Sequence, residues 1–147
     1  MKILALTLLT LMLAGPLAAL AEESWTTDLP AAQAQAKKEK KMVFVNFTGS
    51  DWCGWCKKLQ KEVFTTKEWN DYAKEKLVLV EIDFPNQKKQ SDTLKKANAA
   101  LQARYKADGF PTLVVMDAEG KELWRQVGYM AGGPKAWIAK LDALKKG

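Results

Sequence analysis

Residues 42–47, MVFVNF, are apolar at five of six positions. That density is too high for a strand wetted on one face and fits one covered on both. It predicts a strand in the middle of a sheet. Upstream, residues 25–41 begin with Thr26, Thr27 and Asp28 as N-cap candidates, pass Pro30 and an alanine-rich run, and end in lysines, which predicts a helix. From Cys56 the apolar positions recur as Leu59, Val63 and Phe64, a helical spacing. The chain therefore turns from strand to helix between them, with Cys53 at the helix N-terminus. Thr65 and Glu68 have the spacing of a capping box, and Trp69, Tyr72 and Ala73 share a face, predicting a further helix.

The rhythm then returns to a strand over residues 76–83, KLVLVEID. A lysine-rich loop leads into a helix carrying Leu94, Ala97, Leu101 and Tyr105. FPTLVVMD, the turn Asp117-Ala118-Glu119-Gly120 and KELWRQVG predict a hairpin. Pro134 opens a last helix with Trp137, Ile138, Leu141 and Leu144 inward. Helix, strand, helix pair, strand, helix, two strands, helix is the order of an α/β sandwich whose mixed sheet has a parallel part fed by helical crossovers.

The first residues read differently. Lys2 supplies a positive start, Ile3 to Leu13 an apolar run, and Ala19-Leu20-Ala21 a small-x-small cleavage pattern, so residues 1–21 are read as a secretory signal peptide. The alternative, a membrane anchor, is disfavoured because Gly15-Pro16 interrupts a stretch shorter than the ~20 residues of a spanning helix. No cysteine stands near the cut, which excludes a lipid anchor on that residue. The expected location is exported, periplasmic or otherwise secreted, with no stable membrane insertion after cleavage. Residues 22–147 suffice for one domain with one core. The net charge of +6 is spread over several predicted helices rather than gathered in a stripe, which argues against nucleic-acid binding.

Chemistry concentrates in residues 47–64, FTGSDWCGWCKKLQKEVF, which hold both cysteines of a chain without histidine. Cys53-Gly54-Trp55-Cys56 admits three readings: a redox centre, an inert clip, or part of a metal site. A clip across so short a loop removes little unfolded-state entropy. A closed zinc site wants four Cys or His ligands, more than one chain of this composition supplies. Haem attachment needs histidine where Lys57 stands.

With WCGWCK at 52–57, DGFPT at 108–112 and VGY at 127–129 before the last helix, the chain resembles the thioredoxin superfamily over nearly all of residues 22–147. Its surroundings are most similar to those of small exported single-domain members. The resemblance implies a thioredoxin-like fold, with a mixed central β-sheet flanked by helices on both faces. It also implies a thiol:disulfide oxidoreductase acting on protein thiols and disulfides, with an unidentified redox partner and no cofactor or metal. Cys53 would be the exposed nucleophile and Cys56 the resolving thiol. Pro111 would be a cis proline, and Phe110 before it would offer backbone groups to an extended substrate. Disulfide exchange needs a thiolate, and a helix N-terminus lowers a thiol pKa through its free N–H groups and dipole.

Trp52, Trp55 and Tyr129 are candidate substrate contacts, each with packing as the alternative. Lys57 and Lys58 are candidates for assisting the thiolate or for a plain solvated face. Asp51 is expected to cap the helix, with proton acceptance as the alternative, and Gly109 to sit in a turn. Two positions depart from the family pattern: by alignment the buried aspartate and lysine of thioredoxins are Asn46 and Leu79 here, which removes the usual proton acceptor for the resolving cysteine. The segment 47–52 is one residue longer than usual, and the kinking proline of the dithiol helix is replaced near Lys61. With Trp55 where strong oxidants carry histidine, reduction or isomerisation is the expected direction. The reading kept as an alternative is a non-catalytic binding module or a Cu(I)-handling protein, since soft thiolates suit Cu(I).

Overall fold

A computed structural model describes residues 24–145; the predicted signal peptide, residues 1–21, lies outside the described residues. The elements are α1 (Leu29–Glu39), β1 (Met42–Thr48), α2 (Gly54–Leu59) continuing into a π-helical turn (Gln60–Phe64), α3 (Lys67–Lys76), β2 (Leu77–Asp83), α4 (Asp92–Tyr105), β3 (Thr112–Met116), β4 (Glu122–Val127) and α5 (Gly133–Leu144). Their order is the one the periodicities predict. The strands pair as β2-β1-β3-β4, with β1 parallel to β2 and antiparallel to β3, and β3 antiparallel to β4. All seven residues of β1 are buried, as an interior strand requires.

Alternation along β1 divides the core. Val43, Val45 and Phe47 meet Leu29, Ala32 and Ala36 of α1 and Tyr105 of α4, while Met42 and Phe44 meet Leu59, Val63, Phe64, Trp69, Trp137 and Leu141 on the other face. Helices thus cover both faces. On the second face Phe44 packs edge-on against Phe64, Trp69 and Trp137 at centroid separations of 5.7, 5.1 and 6.0 Å. Aromatic pairs of this geometry contribute about 0.5–1.5 kcal/mol each beyond their burial. The indole N–H groups of Trp69 and Trp137 have no hydrogen-bond partner among the described residues. Burying an indole of about 150–250 Å² is worth about 4–6 kcal/mol, which outweighs the ~1–3 kcal/mol of an unpaired donor.

Three local expectations are corrected. The cap of α3 is Thr66, whose Oγ1 accepts from the Trp69 N–H at 3.3 Å, rather than Thr65. The π turn takes one more residue than an α-turn, closed by the Thr65 N–H donating to the Gln60 carbonyl at 3.0 Å, and so moves the next helix start along by one. The π turn covers Lys61, the region where thioredoxins carry the proline of this helix. In α4 the inward residue is Asn98 rather than Ala97, in step with Leu94, Leu101 and Tyr105; its Nδ2 donates to the Asp83 carbonyl at 3.0 Å. The third concerns Asp51 and belongs to the site.

Candidate active site

The loop from β1 to α2 delivers Cys53 as the N-cap of the dithiol helix. The Cys53 N–H donates to the Gly49 carbonyl at 2.8 Å, and the Cys53 carbonyl accepts from Lys57 N–H at 3.0 Å, which starts the helix. Cys53 and Cys56 form a disulfide with Cα atoms 5.2 Å apart. The Cys56 N–H donates to Cys53 Sγ at 3.2 Å. A thiolate on Cys53 would keep that bond and the positive helix end, which together favour the ionised sulfur. On its other side Cys53 Sγ lies 3.7 Å from the carbonyl oxygen of Phe110. Phe110-Pro111 is cis, which places that carbonyl against the sulfur, and Gly128 N–H donates to the Pro111 carbonyl at 2.8 Å. Gly109 lies just before, its carbonyl accepting from Thr112 Oγ1.

In the closed disulfide Cys53 is only 7% exposed, against 5% for Cys56. The exposure expected of the nucleophile is therefore largely covered in this oxidised form, with the Phe110 carbonyl against the sulfur. Exposure belongs instead to the aromatic residues around it: Trp52 is 46% and Trp55 58% exposed.

These residues form two banks. On one, Phe110 packs edge-on against Trp52 at 5.9 Å and stacks on Phe84 at 5.2 Å. Trp52 Nε1 donates to the Phe84 carbonyl at 2.7 Å, and an added Cβ at Gly49 would collide with the Trp52 indole. Only glycine lets the ring lie there. On the other bank Trp55 stacks on Tyr129 at 5.5 Å with Lys58 Nζ 4.9 Å from the Tyr129 ring centre. The Tyr129 hydroxyl donates to Glu62, which raises the phenol pKa. Lys58 is thus turned towards the rings and Glu62 rather than left as a free charge.

Asp51 caps no helix. Its carboxylate accepts from the N–H groups of Asn86, Gln87 and Lys88 at 2.9, 2.7 and 3.0 Å, which hold it at a pKa of about 2. Ser50 meets Asp83 through both its N–H and its hydroxyl. The longer loop is therefore tied to the segment after β2, leaving Cys53 itself as the cap.

Asn46 is 4% exposed, and its Oδ1 has no hydrogen-bond partner among the described residues. Leu79 is buried in the same layer. The register sets Asn46 beside Glu81 and Thr48 beside Asp83. A cavity of about 420 Å³ adjoins Cys56, lined by Thr48, Lys57, Lys61, Glu81 and Lys88 among others. Among the described residues no group of three or more His, Cys, Asp or Glu side chains is placed to hold a metal ion. Sequence reasoning assigned Phe84 and Glu81 no role and met Val127 only within VGY. Glu81 did leave a trace, as a charge in phase with Leu77 and Leu79 on a face otherwise inward.

A model described as Thioredoxin-like domain matches residues 29–145. The chain belongs to the thioredoxin-like family. It is 39% identical over 131 residues to the disulfide bond reductase DsbH of Chlamydia pneumoniae, covering 89% of this chain and 77% of that protein. Identity to the thioredoxin-related protein DsbJ of the same organism is 31%, over 98% of this chain and 44% of that one. A solved structure of a DsbH oxidoreductase superposes with a TM-score of 0.79 at 37% identity, covering 95% of each chain. With a closed Cys-x-x-Cys pair at a helix N-terminus of this family, the protein is a thiol:disulfide oxidoreductase.

Proposed function

We propose that the protein reduces disulfides of exported proteins, most directly in a periplasm, with Cys53 as attacking thiol and Cys56 as resolving thiol. The carrying observation is the asymmetry at Cys53: its sulfur receives the Cys56 N–H at 3.2 Å, at the cap of α2. In the dithiol, the Cys53 thiolate attacks one sulfur of a substrate disulfide, expels the other as a thiolate and forms a mixed disulfide. Cys56 then attacks Cys53 Sγ and releases the second substrate thiol. Two electrons pass to the substrate, which gains two protons, and Cys53–Cys56 closes.

Strong oxidants of the superfamily stabilise their reduced form with charge near the thiolate, often from a histidine before the second cysteine. Here Trp55 holds that position in a chain without histidine, so no imidazolium adjoins Cys53. The reductase named among the relatives supports reduction as the direction. Trp52, Trp55, Phe110, Pro111 and Tyr129 would receive the substrate chain, with exposed Val127 continuing the apolar rim. No described helix is long and apolar enough to cross a membrane.

Insulin reduction by residues 22–147 with dithiothreitol as donor tests the reading. Catalysed precipitation of the insulin B chain is expected, and its loss in Cys53→Ser. A wild-type rate no faster than dithiothreitol alone would instead favour a binding module or a Cu(I) carrier.

A further inference from the structure

The exchange cannot finish unless the Cys56 thiol loses a proton, and Asn46 cannot take it. The register supplies a carboxyl at the same level one strand away. Glu81 stands opposite Asn46, two residues beyond buried Leu79, on the β2 face turned towards the dithiol helix. Glu81 and Cys56 line the same cavity of about 420 Å³, together with Thr48, Ser50, Gln60 and Thr65. A water occupies about 30 Å³ of liquid and needs two to four polar partners, so this polar cavity has room for a short water chain.

We propose that Glu81, through water in this cavity, accepts the proton of the Cys56 thiol as it attacks the mixed disulfide. The inference rests on the oxidoreductase reading above. The step balances: Cys56–SH and the Glu81 carboxylate become a thiolate and a carboxylic acid. The thiolate closes the Cys53–Cys56 bond, expelling the substrate thiolate, and the proton passes from Glu81 by water to that leaving thiolate. Glu81 is a positioning and proton-holding residue, since it reaches the sulfur through water.

Its surroundings suit the task. Burial raises the Glu81 pKa, Asp83 on the same strand adds to the rise, and Lys88 from the following loop opposes it. Lys57 of α2 and Lys61 of the π turn supply the remaining charges around the cavity. A carboxyl raised towards neutrality is a better match to a thiol than an ordinary glutamate.

A symmetric bis-nitrobenzoate disulfide, mixed with reduced protein in a stopped-flow, reads both steps. One coloured thiolate is released by Cys53 and the second by Cys56. Glu81→Gln should leave the first phase within about twofold and slow the second by roughly tenfold to a hundredfold at pH 7, below the range of direct proton transfer because water intervenes. The second phase should then climb about tenfold per pH unit, whereas wild type levels off above the Glu81 pKa, and Glu81→Asp should keep the levelling. An unchanged second phase, or equal slowing of both phases, would overturn the proposal. A wild type that never releases the second thiolate would overturn the oxidoreductase reading instead. Infrared difference spectra of wild type give a reading independent of the variant's folding. The carboxylic-acid stretch should titrate above the ordinary glutamate range in the reduced protein, with a midpoint that moves on oxidation. No such redox-linked band overturns the relay.

Discussion

Replacing Asn46 by Asp puts a carboxylate where thioredoxins keep one, without the partner they keep beside it. The site is 4% exposed, Leu79 lies diagonal to it across the β1–β2 pair, and Glu81 stands directly opposite. Desolvation and a neighbouring acid both favour the protonated form. If the folded pKa of the introduced carboxyl rises from about 4 to about 7, its ionisation in the native state is resisted over about three pH units at about 1.4 kcal/mol each. The native state then holds a proton that the unfolded chain has released, so stability is intact below about pH 4 and falls as pH rises, until the folded pKa is passed. The loss reaches about 4 kcal/mol near neutrality, a large share of the ~5–15 kcal/mol of a typical domain. With a urea slope near about 2 kcal/mol/M, the midpoint should drop by roughly 2 M at pH 8 and hardly at all at pH 4. Adding Leu79→Lys should recover part of it, because the two sites share a face. Urea titrations of the oxidised proteins at both pH values measure this. Equal midpoints at pH 4 and pH 8 for Asn46→Asp would show that the position is wet, and the dry-site argument would fail.

Other outcomes follow from the site. Cys56→Ser should accumulate mixed disulfides on non-reducing gels and Cys53→Ser almost none; the reverse pattern would exchange their roles. Gly49→Ala forces a Cβ into the Trp52 ring that the Phe84 carbonyl holds in place, so stability should fall by about 1–3 kcal/mol, read as a urea midpoint, and an unchanged midpoint would mean the ring moves freely. Asp51, held at about 2 by three N–H groups, stabilises the fold above the usual carboxylate range of about 4 and ceases to as pH falls towards 2. Asp51→Asn should therefore flatten the acid limb of the stability curve between those values, and a limb as steep as wild type would detach Asp51 from it.

How much was legible beforehand depends on range along the chain. The strand at 42–47, the dithiol at a strand-to-helix turn, the hairpin after Pro111 and the Pro134 helix were all readable, because helical and strand periods and caps are written within a few residues. So was the missing acid–base pair at Asn46 and Leu79, once the resemblance to thioredoxins aligned those two positions. Errors of one residue arose where local signals competed. Thr65 and Thr66 both suit a cap, and only the π turn chose between them; Asp51 suits a cap too, until the 86–88 segment folds over it. The site's further members depend on contacts across long stretches of chain. Phe84 reaches Phe110, Tyr129 reaches Trp55, and Glu81 comes level with Asn46 through a strand register. A period of two cannot fix that register, since a slip of two residues keeps every side chain on its face. Packing of both helical layers against the sheet selects it, and that choice puts a carboxyl in the cavity that Cys56 also lines.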